Sequence, residues 1–252
     1  MTADSFTGRV ALVTGAGRGI GRAIALGLAD AGGRVALISR TEVELAAVAA
    51  EIRSQGGTAS TIVADVGDPE QASQVMDRVT TELGPVEILV NNAAVVWPLG
   101  LSATIDPGDW QQATQINVIG PVTLSLAALP RMIERGWGRI ANVSSGVAAN
   151  PTAMIGGNAY TATKAALEAH TLNLAAELDN TGVTANVFRP GAVDTAMQGW
   201  IREQDPERIG TALHARFVAT QQSGTLLTPQ RSAGVLLDHL AADGNGEIWN
   251  VS

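Results

Sequence analysis

A chain of 252 residues with 46% hydrophobic side chains can bury a large core, and the absence of cysteine excludes a disulfide framework, a thiol nucleophile and thiolate metal ligation. A net charge of -8 without any dense Lys/Arg run argues against a nucleic-acid partner, whose phosphates call for clustered cations. His170, His214 and His239 are scattered without metal-ligand spacing, so no metal centre is expected.

In chain order, short apolar or β-branched runs at 9–14, 34–39, 58–64, 87–91, 138–144, 183–188 and 246–250 read as seven strands. Amphipathic stretches at 19–31, 42–55, 69–83, 107–134, 157–180 and 229–241 read as the intervening helices. Pro69 after Asp68, and Pro229 after Thr228, match a capped helix start with proline at the first helical position. This alternation predicts an α/β fold: a Rossmann-like, doubly wound, parallel seven-stranded sheet with helices on both faces. No linker composition divides the chain, so residues 1–252 are expected to form a single domain. The segment 193–227 is polar, holds Trp200 and no strand, and reads as a helical excursion over the open end of the sheet, where it would cover a ligand.

The opening Met1-Thr2-Ala3-Asp4-Ser5-Phe6 lacks the basic start of a signal peptide, and no apolar run reaches the roughly 18 residues of a membrane span. A soluble cytoplasmic protein with no membrane partner is the expectation.

The first strand runs directly into Gly15-Ala16-Gly17-Arg18-Gly19-Ile20-Gly21 and then into a helix. Glycines there let the backbone turn and approach a pyrophosphate, and the helix N-terminus offers unpaired N–H groups. At the end of the second strand, an NAD site wants a carboxylate for the ribose 2′-OH, yet this chain has Ser39-Arg40, with Arg18 directed at the same neighbourhood. Guanidinium forks suit a phosphate monoester, which favours NADP(H) over NAD.

Tyr160 and Lys164 are the only tyrosine and the only lysine, four residues apart in one helical pattern. That spacing is about one turn and puts phenol and ammonium on one face. A cation so placed is expected to pull the phenol below its usual value of about 10, making it a usable general acid and base.

With these features in place, the chain resembles the short-chain dehydrogenase/reductase family in its standard single-domain form, over nearly its whole length. The glycine loop from Thr14 to Gly21 is similar to that family's cofactor motif, Asp65-Val66 to the pair that touches adenine, and Asn91-Asn92-Ala93-Ala94 to its sheet-stabilising motif. Asn117 sits where the family keeps a catalytic asparagine, and Ser145 in Asn142-Val143-Ser144-Ser145 where it keeps the serine, with Ser144 a weaker candidate. The run from Pro190 and Gly191 through Val193 to Thr195 sits where backbone and hydroxyl hold the nicotinamide amide.

The resemblance implies an NADP-dependent carbonyl reductase or alcohol dehydrogenase. Tyr160 would protonate the carbonyl oxygen, Ser145 would hydrogen-bond it, Lys164 would hold the nicotinamide ribose and lower the phenol's pKa, and Asn117 would position a water linking Lys164 to solvent. Asn92 and Ala93 join the cofactor set. The substrate is expected to be a small ketone, oxoester, 3-oxoacyl compound or secondary alcohol, with Trp97, Met197 and Trp200 as candidate apolar walls. A homo-oligomer, a tetramer by resemblance, is expected through the two longest helices.

Two departures stand out. Ser145 precedes Tyr160 by 15 residues, two more than the family's usual spacing, which implies an insertion within 146–158. The tail after Gly246 lacks the family's Asp-Gly-Gly ending, which puts contacts made by that tail across subunits in doubt. A non-catalytic NADP-binding sensor or scaffold is the alternative the sequence leaves open.

Overall fold

Strands whose residues are apolar on both faces cannot sit at a surface, and here they do not: β1 (Val10–Thr14) and β4 (Ile88–Asn91) are buried along their full lengths. A computed structural model describes residues 5–251 and places seven parallel strands in the order β3-β2-β1-β4-β5-β6-β7. The remaining strands are β2 (Arg34–Ser39), β3 (Thr58–Val63), β5 (Gly138–Val143), β6 (Val183–Arg189) and β7 (Ile248–Asn250). The fold class and the single domain read from the sequence are those observed; Met1 to Asp4 of the opening segment, and Ser252, lie outside the described residues.

Period-two alternation along β1 sorts its side chains to two cores. Val10 and Leu12 join one cluster with Val75 and Val79 of α3 (Pro69–Glu82), while Ala11 and Val13 join another with Ile24 and Leu28 of α1 (Gly19–Asp30). The second core also takes Leu45 and Ile52 from α2 (Glu42–Ser54) and Leu236 and Leu240 from α10 (Pro229–Leu240). Both proline-led starts are capped: Asp68 accepts from the Glu70 and Gln71 amides, and Thr228 from the Arg231 amide.

The expected single helix over 107–134 is instead two helices joined by a π-turn: α4 (Pro107–Thr114), the π segment Gln115–Ile119, and α5 (Gly120–Glu134). Pro121 supplies the reason. It has no N–H to give the Asn117 carbonyl four residues back, and its ring crowds that carbonyl, so the ladder shifts to wider bonds such as Gly120 N–H to Gln115 oxygen. The whole 107–134 run has the length and apolar composition of a membrane span, contrary to the expectation from the sequence, but half of its most apolar stretch is buried in the protein as in a core helix.

α6 (Asn158–Glu177) packs against β6 and carries Tyr160 and Lys164. The excursion holds α7 (Ala196–Arg202), α8 (Pro206–Ile209) and α9 (Thr211–Gln222), and an isolated β-bridge between Val193 and Leu227 closes its base. The chain reverses its order between β1 and β4, so the carboxyl ends of these strands open a crevice, the usual place for a ligand in an open α/β sheet.

Candidate active site

The glycine loop sits at the mouth of that crevice, and its glycines are required by space. A Cβ on Gly21 would meet the Gly15 carbonyl oxygen at 2.2 Å, and one on Gly15, where φ is +64°, would meet the Asn92 amide nitrogen at 2.8 Å. Asn92 secures the loop by donating its side-chain amide to the Thr14 carbonyl at 2.9 Å, and the Thr14 hydroxyl accepts from the Asn92 and Ala93 amides, each at 3.0 Å. Asn91 belongs to the sheet instead: its amide donates to Asn142 at 2.8 Å, and Asn142 donates to Thr171 at 2.8 Å. The first turn of α1 has no side-chain cap, which leaves the amides of Gly19, Ile20 and Gly21 directed outward. An uncapped helix start behind a side-chain-free cradle fits a dinucleotide pyrophosphate. Gly19 faces Thr195 across the crevice, with 3.4 Å between its Cβ position and the threonine methyl.

At the end of β2, Ser39, Gly17 and Glu44 converge: a Cβ on Gly17 would lie 2.8 Å from a Glu44 carboxylate oxygen and 3.4 Å from the Ser39 hydroxyl. Arg18 pairs with Glu44 at 3.7 Å and Arg40 with Asp65 at 3.5 Å. Both guanidinium groups are largely exposed, so these pairs are weak and open to exchange for another anion. The sequence reading missed Glu44. Asp65 also accepts from the Gly67 amide at 2.9 Å, and Val66 beside it is buried.

The expected catalytic residues come together from β5, α6 and the π-turn. Ser145 starts a short 3₁₀ turn over Gly146–Ala148, a second follows at Pro151–Met154, and these two turns absorb the longer spacing to Tyr160. The Ser145 hydroxyl accepts from the Val147 amide at 3.5 Å and acts on the Tyr160 phenol, favouring its charged form. Lys164 is 2% exposed; its ammonium donates to the Val143 carbonyl at 2.7 Å and lies 5.7 Å from the centre of the Tyr160 ring.

The electrostatics correct one expectation. In this structure the phenol of Tyr160 is pushed up, because burial disfavours its charged form more than the Ser145 side chain favours it. Burial brings Lys164 down to about 8, partly opposed by the carboxylate of Glu168.

Asn117, fully buried, spends its side chain on the fold: the oxygen accepts from the Val95 amide at 2.8 Å, and the amide donates to the Val95 carbonyl at 2.8 Å and to Thr163 at 3.1 Å. What Pro121 cannot supply is the i→i−4 donor to the Asn117 backbone carbonyl. Ser144 donates to Glu168 at 2.6 Å, while Ser145 is the serine that acts on the phenol. Pro190 anchors the following segment by accepting from Ser232 at 2.9 Å, Gly191 takes a left-handed φ of +77°, and Val193 is buried at the bridge.

The excursion closes over the phenol with an apolar cluster. Tyr160 packs with Val96, Leu99, Met154, Ile209, Leu213 and Phe217, and Met197 and Trp200 lie against the same group. Trp97, grouped with them from the sequence, packs against the central core instead.

The comparisons agree with this geometry. The family model described as short chain dehydrogenase matches residues 9–206. A short chain dehydrogenase of Pseudocercospora fijiensis is 39% identical over 194 residues, which span 75% of this chain and 61% of that protein. The crystal structure of L-sorbose reductase from Gluconobacter frateurii, complexed with NADPH and L-sorbose, superposes with a TM-score of 0.88 at 25% identity, covering 100% of this chain and 97% of the other. An NAD+-bound xylitol dehydrogenase gives 0.87 at 26%, covering 98% of each. A glycine cradle that fits a dinucleotide, a buried tyrosine with a lysine one turn on, and a family match over most of its length place this chain in the short-chain dehydrogenase/reductase family.

Proposed function

We propose that the protein is an NADP(H)-dependent oxidoreductase of the carbonyl reductase or alcohol dehydrogenase type, acting on a small ketone, oxoester, 3-oxoacyl compound or secondary alcohol. The observation that carries this reading is the buried Lys164 ammonium 5.7 Å from the centre of the Tyr160 ring, under an apolar cover and with Ser145 acting on the same phenol. NADPH, when bound, supplies the hydride. Gly15, Gly17, Gly19, Ile20 and Gly21 would hold its pyrophosphate, Asp65 and Val66 its adenine, Asn92 and Ala93 the crevice floor, and Pro190, Gly191, Val193 and Thr195 its amide.

In the reduction direction the Tyr160 hydroxyl gives its proton to the substrate oxygen, and the Ser145 hydroxyl donates a hydrogen bond to that oxygen as charge gathers on it. Lys164 would bind the ribose hydroxyls and favour the phenolate that Tyr160 becomes. The Asn117 carbonyl, to which Pro121 cannot donate, is the acceptor for a water that returns a proton through Lys164. Arg18 and Arg40, both exposed guanidiniums, would exchange their carboxylate partners for the 2′-phosphate, which favours NADP(H) over NAD.

Met197, Trp200 and Val147 beside Tyr160 favour a substrate with an apolar body around its carbonyl. Exposed Ile119, Leu126 and Ile133 recur every seven residues along the π-turn and α5, and Leu172 is exposed on α6, which supports a homo-oligomer through these helices.

A panel of ketones, oxoesters and secondary alcohols, read at the NADPH absorbance band, tests the reading. Turnover that vanishes in Tyr160→Phe supports it. Silence across the panel with tight NADPH binding would make the protein a non-catalytic sensor.

A further inference from the structure

Glu168 stands one turn beyond Lys164 on α6 and is 8% exposed. One carboxylate oxygen accepts from the Ser144 hydroxyl at 2.6 Å and from Arg189 Nε at 2.8 Å; the other accepts from Arg189 Nη2 at 2.7 Å. This is a two-pronged guanidinium fork completed by a hydroxyl, a geometry that fixes both partners. Ser144 is the neighbour of Ser145 at the end of β5. Arg189 ends β6 immediately before Pro190 and Gly191. One buried carboxylate thus joins the three segments that carry the hydroxyl, the ammonium and the nicotinamide-side loop.

The charges around the Lys164 ammonium are few. Its own helix presents Tyr160 and Glu168, β5 presents the Val143 carbonyl and the Ser144 and Ser145 hydroxyls, β6 presents Arg189, and the π-turn presents the neutral Asn117 through Thr163. Two cations and one anion occupy a site from which water is largely excluded. Glu168 is the anion whose field acts on Lys164.

We propose that Glu168 is a positioning residue of this site: it braces the ends of β5 and β6 onto α6, and its carboxylate is the counter-charge that sustains the buried Lys164 ammonium. Its chemical consequence rests on the proton-donor reading of Tyr160 and Lys164, because the ammonium is what steadies the phenolate. A brace alone would hold the backbone and leave the ionisation of Lys164 unchanged.

The test needs neither substrate nor cofactor. Lys164 is the only lysine and Tyr160 the only tyrosine, so the full chain made with carbon-13 at lysine Cε and tyrosine Cζ gives one signal of each kind. In Glu168→Gln an attraction is lost and the Arg189 cation remains, so the lysine midpoint should fall by about one pH unit. In Arg189→Gln the carboxylate acts undiluted, and the midpoint should rise. The double variant, with neither charge, should lie between the two single variants. Midpoints that stay together in all four proteins would overturn the proposal and leave Glu168 a brace only. If Glu168→Gln does not fold, Arg189→Gln decides alone: a midpoint that is unmoved or lower refutes it. A lysine midpoint that moves while the phenol of Tyr160 stays put supports the Glu168 assignment and counts against the proton-donor pair.

Discussion

Asn117 and Val95 hold each other by two hydrogen bonds, one in each direction and both 2.8 Å long. The pair ties the π-turn to the segment that follows β4, at a place where both residues are buried. Asn117→Ala leaves the Val95 amide and carbonyl without partners away from water, and each buried orphan costs about 1–3 kcal/mol. A loss of about 2–5 kcal/mol in urea unfolding is therefore expected. A loss below about 0.5 kcal/mol would mean that water or a rearranged turn satisfies Val95.

Tyr160→Phe removes one hydroxyl from a ring that is otherwise packed on apolar neighbours, so folding should survive. Turnover should fall by about 100-fold to 10,000-fold, the usual worth of a positioned general acid, while the NADPH dissociation constant changes by less than about threefold. Stopped-flow or steady-state rates set beside a fluorescence titration separate the two quantities. Retained turnover would remove Tyr160 from the proton-transfer role.

Much of this site was legible in the sequence because backbone demands leave local marks. Gly15 and Gly21 are needed where a Cβ would strike Asn92 or the Gly15 carbonyl, and a glycine cluster between a strand and a helix announces such crowding. Tyr160 and Lys164 share a helix, so their spacing fixed their relation. The rest depends on contacts between distant segments: Glu44 lies over Gly17, Trp97 faces the central core, and Ser144 turns to Glu168. Lys164 and Glu168 were readable as an i,i+4 pair, but nothing local foretold that Arg189 would complete it. The π-turn was readable too, since Pro121 disfavours an uninterrupted helix. The direction of the Tyr160 shift was not, because it is set by burial under α7 to α9 and not by the neighbouring charge.

Cofactor choice should turn on groups whose present partners are carboxylates. Ser39→Asp combined with Arg40→Leu places an anion where a ribose 2′-OH is the better partner and removes a guanidinium, so preference should move from NADPH toward NADH by about 100-fold in the ratio of dissociation constants. Glu44→Gln frees Arg18 from its 3.7 Å partner and removes a negative charge beside Ser39, so it should tighten NADPH and leave NADH nearly unchanged. Calorimetric titration at two salt concentrations checks both, since a contact made by exposed charges weakens as salt rises. Equal affinities for both nucleotides in all variants would place the selectivity elsewhere.

The depressed Lys164 makes a signed prediction about stability. In the folded chain this ammonium loses its proton near 8, whereas in the unfolded chain it keeps it up to its ordinary 10.5. Between these values the unfolded state binds more protons, so raising the pH favours the folded state. Below 8 both states are charged and the burial penalty is felt in full. Relative to Lys164→Met, which has no such titration, the wild-type protein should gain about 2 kcal/mol in unfolding free energy between about pH 8 and about pH 9.5. The window stops there because the raised Tyr160 phenol works in the opposite direction above its ordinary 10.0, where the unfolded state releases its proton first. Urea unfolding followed by tryptophan fluorescence across that range gives the difference directly, and a difference that does not change with pH would show that Lys164 titrates alike in both states.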